Sequence, residues 1–220
     1  MCSNPAADTT TIMKIKNVKS VVFPEIKIIT LQRFVDERGF FTEIYKKSDL
    51  TNFPQLGFLK DFNLVQANLS YSKKGVFRGL HFQWNPYVEK LIRVPDGHLF
   101  DFFLDIRKGQ LTFGKIGAYE MKSDFTDDYQ EWMYIPKGFA HGCYFLADSS
   151  LEYFCNGEYN PKSELGISIF DKEIDWSLCD TAVLNIKKEI LESETIISKK
   201  DKNGVTLSSW IKNPNSELFR

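Results

Sequence analysis

From Ile26 onward the chain is a succession of short runs of Phe, Tyr, Ile and Val, each cut off within a few residues by Gly, Pro, Asp or Asn. Residues 75–82, 90–94, 98–106 and 112–120 are examples. Aromatic and β-branched side chains fit a pleated, half-buried surface, and runs bounded by turn residues predict the strands of an all-β sandwich or barrel. Pro95-Asp96-Gly97 reads as a turn joining two strands, and Arg107-Lys108-Gly109 as the break before a third. Helical periodicity is scarce. Short candidates lie at 47–53 and around 182–190, too small to supply a core, so the sheet must supply it.

The ends differ from this middle. Residues 1 to about 12 are small and polar, and predict a flexible N-terminal extension. The domain proper is expected over 13–201. From Glu192 the chain turns polar again, so residues 202–220 are expected to form a loop-like tail, folded back on the domain at Trp210.

Charge and composition narrow the function. The 28 Lys and Arg balance 29 Asp and Glu, which leaves no broad basic surface for nucleic acid. No stretch approaches the roughly 18 apolar residues of a membrane helix, and Met1-Cys2-Ser3-Asn4-Pro5 lacks the charged and apolar regions of a secretory signal. A cytoplasmic location is expected. Cys2, Cys143, Cys155 and Cys179 show no CxxC pairing and read as small buried hydrophobes rather than metal or redox groups.

Against 19 Phe, 9 Tyr and 4 Trp there are only 3 His, so each histidine carries information. His98 follows a turn with nothing polar arranged around it and reads as unremarkable sheet surface. His81 and His141 each lie close to glycine, in Arg78-Gly79-Leu80-His81 and Ala140-His141-Gly142, where a missing side chain lets backbone or ligand approach. A metal-binding β-barrel would favour paired ligands at i and i+2. His81-Phe82-Gln83 offers an amide at the second position, a poor transition-metal ligand, so no metal site is expected. An imidazole moving a proton near neutral pH is the better reading.

Four segments together carry a resemblance: Arg78-Gly79-Leu80-His81-Phe82-Gln83; Lys90-Leu91-Ile92-Arg93-Val94; Asp105-Ile106-Arg107-Lys108-Gly109 with Thr112-Phe113-Gly114-Lys115; and Ile135-Pro136-Lys137-Gly138-Phe139-Ala140-His141-Gly142. In this order, from about Pro24 to about Asp201, the chain resembles the dTDP-4-dehydrorhamnose 3,5-epimerase family. The resemblance implies a cupin-type jelly-roll β-sandwich with a few short helices. It also implies a homodimer that uses no metal or other cofactor and epimerises a nucleotide-linked 4-keto-6-deoxy sugar.

By motif position, the resemblance makes His81 the base that removes a proton beside the C4 ketone. Asp201, in Ser198-Lys199-Lys200-Asp201, would orient it. Lys90 would face the ketone and stabilise the enolate. Tyr153 would be the acid on the opposite face; a phenol, with its pKa of about 10, begins protonated. Tyr159 falls at the family's second tyrosine, and the six-residue spacing keeps both side chains on one face if that segment is extended throughout. Substrate-binding positions carried over in the same way are Arg38, Phe41, Glu43, Gln66, Asn68, Arg78 and His141. The family dimer places its N-terminal segment against the partner, which would bring Arg38 and Glu43 to the neighbouring site. The chain departs from the family at Ile169-Phe170-Asp171-Lys172 and at Glu158-Tyr159 before Asn160-Pro161. Three other readings stay open: inversion at C3 or C5 alone, on a related substrate such as a GDP-linked sugar; a non-catalytic sugar-nucleotide binder; and a metal-dependent cupin.

Overall fold

The computed structural model describes residues 15–220, so the expected extension at 1–12 and Cys2 lie outside the described residues. In chain order the strands are β1 (Ile15–Ser20), β2 (Lys27–Gln32), β3 (Phe34–Asp36), β4 (Gly39–Phe41), β5 (Gln66–Ser72), β6 (Val76–Gln83), β7 (Lys90–Asp105), β8 (Ile116–Ser123), β9 (Tyr129–Ile135), β10 (Phe139–Phe145), β11 (Ser149–Cys155), β12 (Glu164–Gly166) and β13 (Ile196–Ile197). The helices are α1 (Lys47–Asn52), α2 (Thr181–Glu192), α3 (Lys199–Lys202) and α4 (Leu207–Lys212). The two helices expected from periodicity coincide with α1 and α2. The architecture is the all-β jelly-roll sandwich expected from the sequence.

One sheet runs β1-β2-β9-β7-β11-β5, and the other runs β8-β7-β10-β6 with β12 and β13 along the far side of β6. β7 belongs to both. Residues 90–96 pair with β9 and β11, whereas residues 97–105 pair with β8 and β10. The expected turn at Pro95-Asp96-Gly97 is therefore a bend inside one strand, at which the chain passes from one sheet to the other. Gly97 makes the bend possible: its φ is +110°, and a Cβ there would lie 2.2 Å from Ser149 Oγ. That hydroxyl accepts a hydrogen bond from the His98 N–H at 2.9 Å.

Side-chain alternation along β7 and β10 sorts the aliphatic and aromatic residues into three layers. Ile92, Val94, Phe103, Cys143 and Phe145 pack between the sheets with Ile28, Met133 and Leu151. Phe102, Leu104, Ala140 and Tyr144 point the other way, beneath Val183 and Ile190 of α2 and Trp210 of α4. The outer face of the first sheet, with Leu91, Trp132 and Tyr134, is covered by Leu50 of α1 and the following 3₁₀ turn with Leu56 and Leu59.

The C-terminal tail corrects the loop-like expectation. Thr206 caps α4 by accepting from the Ser209 N–H, and Asn213 caps a 3₁₀ turn over Pro214–Leu218. Trp210 is fully buried against Phe82 and Phe219, and its Nε1–H donates to the Ile106 carbonyl at 3.1 Å. A short polar sequence becomes helical here because each turn has its own cap and one large aromatic anchor.

An ionic knot around a buried acid ties the end of β7 to the turn that follows it. Asp105, wholly buried, accepts from the Arg107 guanidinium and backbone N–H and from Thr112 Oγ1, while Arg107 also pairs with Glu25. The Asp-Ile-Arg segment and the Thr-Phe-Gly turn are thus structural. Residues 112–115 form this turn, and the strand expected from Thr112 begins only at Ile116.

Candidate active site

A cavity of about 360 Å³ opens between the two sheets. His81 on β6 and His141 on β10 come from one sheet; Gln66 and Asn68 on β5, Tyr153 on β11, and Lys90 at the start of β7 come from the other. His81 and His141 are direct partners in the β6–β10 register. The glycines beside them allow this close pairing. A Cβ on Gly79, whose φ is +135°, would lie 2.4 Å from the Cα of Gly142.

The structure brings His81 and Asp201 together. His81 Nε2 is 2.7 Å from Asp201 Oδ1. Ser198 caps the short turn α3 by accepting from the Asp201 N–H, which sets the carboxylate beneath the histidine. Burial raises the Asp201 pKa, but the hydrogen bonds from His81, Ser198 and the Gly79 backbone outweigh it and hold the carboxyl below its usual range. A carboxylate at Nε2 keeps the proton on that nitrogen and leaves the lone pair on Nδ1.

Lys90 lies beside a second pair of this kind. Its Nζ is 3.3 Å from His141 Nδ1, and His141 Nε2 is 2.8 Å from the buried Asp101 Oδ2. Asp101 accepts the hydrogen bond from the His141 Nε2–H, so Nδ1 accepts from the ammonium. Burial lowers the His141 pKa, and Lys90 adds to that effect against the opposing pull of Asp101. Asp101 and its part in holding Lys90 were not among the sequence candidates; a lone Asp in the apolar run of β7 was the available signal.

Tyr153 faces the cavity from β11, half-buried, and burial raises its pKa, so it stays protonated near neutral pH. Tyr159 also lines the cavity, but the chain is not extended between the two tyrosines. β11 ends at Cys155 and bends at Asn156-Gly157; the Tyr159 N–H then donates to Gln66 Oε1 at 2.8 Å, and this anchors the loop at the cavity mouth. Gln83 does similar work, donating to the carbonyls of Pro86 and Glu158 and accepting from the Asn160 N–H. Glu164 lines the same mouth and pairs with Lys200 at 2.6 Å, a carboxylate the sequence reading missed.

Other candidates stand apart. Arg38 and Phe41 lie exposed on the β3–β4 hairpin, where Arg38 pairs with Asp36, and neither they nor Glu43 line the cavity of this chain. Arg78 is exposed and donates to Ser72 Oγ at 2.8 Å. His98 has a polar partner after all, Glu120 at 2.7 Å, reached across the β7–β8 pairing and away from the cavity.

Residues 20–209 match the family model described as dTDP-4-dehydrorhamnose 3,5-epimerase. The chain belongs to that family. It is 37% identical over 180 residues to the dTDP-4-dehydrorhamnose 3,5-epimerase of Escherichia coli K12, a match covering 80% of this chain and 92% of the relative. The epimerase of that name from Methanothermobacter thermautotrophicus is 35% identical over 179 residues, covering 80% and 86%. Among solved structures, the dTDP-6-deoxy-D-glucose-3,5-epimerase of Legionella pneumophila, in complex with dTDP-4-keto-L-rhamnose, superposes with a TM-score of 0.73 at 33% identity. That match covers 92% of this chain and 96% of the Legionella chain. The cupin-like sandwich is thus that of the 3,5-epimerase family.

Proposed function

We propose that this protein inverts C3 and C5 of a nucleotide-linked 4-keto-6-deoxy sugar, of the dTDP-4-dehydro-6-deoxyglucose to dTDP-4-dehydrorhamnose type, by proton transfer beside the ketone. The observation that carries the reading is the placement of His81, backed by Asp201, on one wall and of protonated Tyr153 on the other, with Lys90 lining the same cavity. C3 and C5 both adjoin the C4 ketone, so one base and one enolate stabiliser serve both carbons. His81 Nδ1 takes the proton, and Asp201 stabilises the resulting imidazolium. The Lys90 ammonium offsets the charge that develops on O4, and Tyr153 delivers a proton to the opposite face. No step in this sequence calls on a metal or an organic cofactor.

Gln66, Asn68, His141 and Tyr159 hold the sugar and diphosphate end. Arg38, Phe41 and Glu43 act in the neighbouring site of a homodimer, and Arg78 serves the diphosphate; arginine forks pair well with phosphate oxygens. Among the described residues no helix is long and apolar enough to cross a membrane, and the proposed location is the cytoplasm.

The test is NMR of dTDP-4-keto-6-deoxyglucose in heavy water. Deuterium is expected at both C3 and C5. Exchange at one carbon alone would reduce the activity to a mono-epimerase, and no exchange with dTDP-, UDP- and GDP-linked substrates would overturn the reading.

A further inference from the structure

Behind the cavity wall, three side chains converge between the sheets. Cys143 on β10 pairs directly opposite Asp101 on β7, and His141 lies two residues before Cys143. The i, i+2 ligand spacing that is absent at His81-Phe82-Gln83 occurs here, in His141-Gly142-Cys143. Cys143 Sγ is 3.3 Å from Asp101 Oδ2 and 3.7 Å from His141 Nε2, and the latter two atoms are 2.8 Å apart. All three side chains are buried, and Asp101 Oδ1 has no hydrogen-bond partner among the described residues.

Thiol, imidazole and carboxylate together suit a borderline-soft divalent cation. With zinc bonds of about 2.0 Å to nitrogen or oxygen and about 2.3 Å to sulfur, tetrahedral neighbours stand about 3.3–3.7 Å apart. Both edges that involve Cys143 are already near that separation. The His141–Asp101 edge needs to open by about half an ångström.

We propose that Asp101, His141 and Cys143 form a binding site for a thiophilic divalent cation such as Zn²⁺ or Cd²⁺, and that filling it inhibits the enzyme by taking His141 away from Lys90. The carboxylate and thiolate balance the ion's two charges, and the thiol proton leaves to solvent. The ion replaces the proton on His141 Nε2, so the neutral imidazole carries its proton on Nδ1 instead. Nδ1–H and the Lys90 ammonium are then both donors, and their hydrogen bond is lost. Cation binding stands on the donor set alone; inhibition rests on the proposed role of Lys90.

The test uses full-length, chelator-treated protein titrated anaerobically with Co²⁺. One ion per chain is expected, with tetrahedral ligand-field bands and a thiolate-to-metal charge-transfer band that Zn²⁺ displaces. Cys143→Ser and Cys143→Ala should each abolish that band and weaken binding at least about tenfold, while Cys2→Ser, Cys155→Ser and Cys179→Ser keep it. Lys90→Met should bind more tightly, because a repelling charge is gone. Absence of the band in the wild type, or its survival in either Cys143 variant, would overturn the site whatever the activity. Zn²⁺ should suppress deuterium exchange in the wild type and not in Cys143→Ser. A loaded wild type that exchanges at its full rate would overturn the inhibition. A protein that binds the ion but never exchanges deuterium would sink the epimerase reading and leave the site standing.

Discussion

His81 Nε2 and Asp201 Oδ1 meet at 2.7 Å although 120 residues separate them in the chain. The contact joins a central strand to a four-residue helical turn near the C-terminus, and it gives the proposed base both its tautomer and its countercharge. Replacing His81 by Ala should abolish deuterium exchange at C3 and C5. Asp201→Asn keeps the shape but not the charge, and should lower the exchange rate by roughly 10²- to 10⁴-fold with little change in KM. Equal exchange in wild type and His81→Ala would remove His81 from the role of base.

The opposite wall separates two events that the base alone cannot. Tyr153→Phe leaves proton removal by His81 intact, so deuterium still enters from the base's side. Return on the other face is lost. NMR should show residual exchange and a much reduced yield of inverted product, and undiminished inversion would assign the acid elsewhere.

The acid limb of stability should carry the mark of Asp201. Its carboxyl titrates lower folded than unfolded, so its contribution is complete above the unfolded carboxylate pKa and is lost as pH falls through the folded value. Urea unfolding of wild type and Asp201→Asn from pH 6 downward should show a stability gap that is constant near neutral pH and closes below about pH 4. A gap that does not depend on pH would mean that the His81 contact does not depress this pKa.

The exposed β3–β4 hairpin makes a prediction about assembly. If Arg38 serves a neighbouring site, an equal mixture of refolded His81→Ala and Arg38→Ala chains should recover about a quarter of wild-type activity, since half of the dimers hold one intact site. No recovery, with both variants folded and dimeric, would mean that Arg38 serves the site of its own chain, and full activity of Arg38→Ala by itself would place it outside the site.

Trp210 anchors the tail by packing and by one hydrogen bond to the Ile106 carbonyl. Trp210→Ala should cost about 3–5 kcal/mol in denaturant unfolding, and Trp210→Phe less. A change below about 1 kcal/mol would make the tail an appendage rather than part of the core.

Of the residues that line the cavity, His81 and His141 stood out by their glycine neighbours, whereas Lys90 and Tyr153, and Asp201 behind His81, were legible only through the family resemblance of the segments that carry them. The partners that tune them were not. Asp101 is one acid in an apolar strand, and only the pairing of β7 with β10 brings it to His141. Glu164 reaches the mouth through a loop whose path Gln83 and Gln66 fix by binding backbone groups, which no local pattern encodes. The strand-rich class followed from composition and turn spacing. The course of the chain at Pro95-Asp96-Gly97 did not, because the same residues that reverse a hairpin also permit a strand to change sheets. The tail was misjudged since α4 is one and a half turns long, too short for hydrophobic periodicity to register.

Because β7 is continuous through that bend, the two halves of the reaction chamber are not independent plates held apart by packing. Lys90 stands near the start of a single stretch of backbone, and Asp101, the anchor of His141, stands eleven residues further along it. The gap that the sugar ring must fit is thereby written into the dihedral angles around Gly97 and into the Ser149 side chain pressed against it. A residue far from the chemistry thus acts as the set-screw of the active site, and calibrating the aperture for a larger or smaller sugar would begin at Gly97 and Ser149 rather than among the residues that touch the substrate.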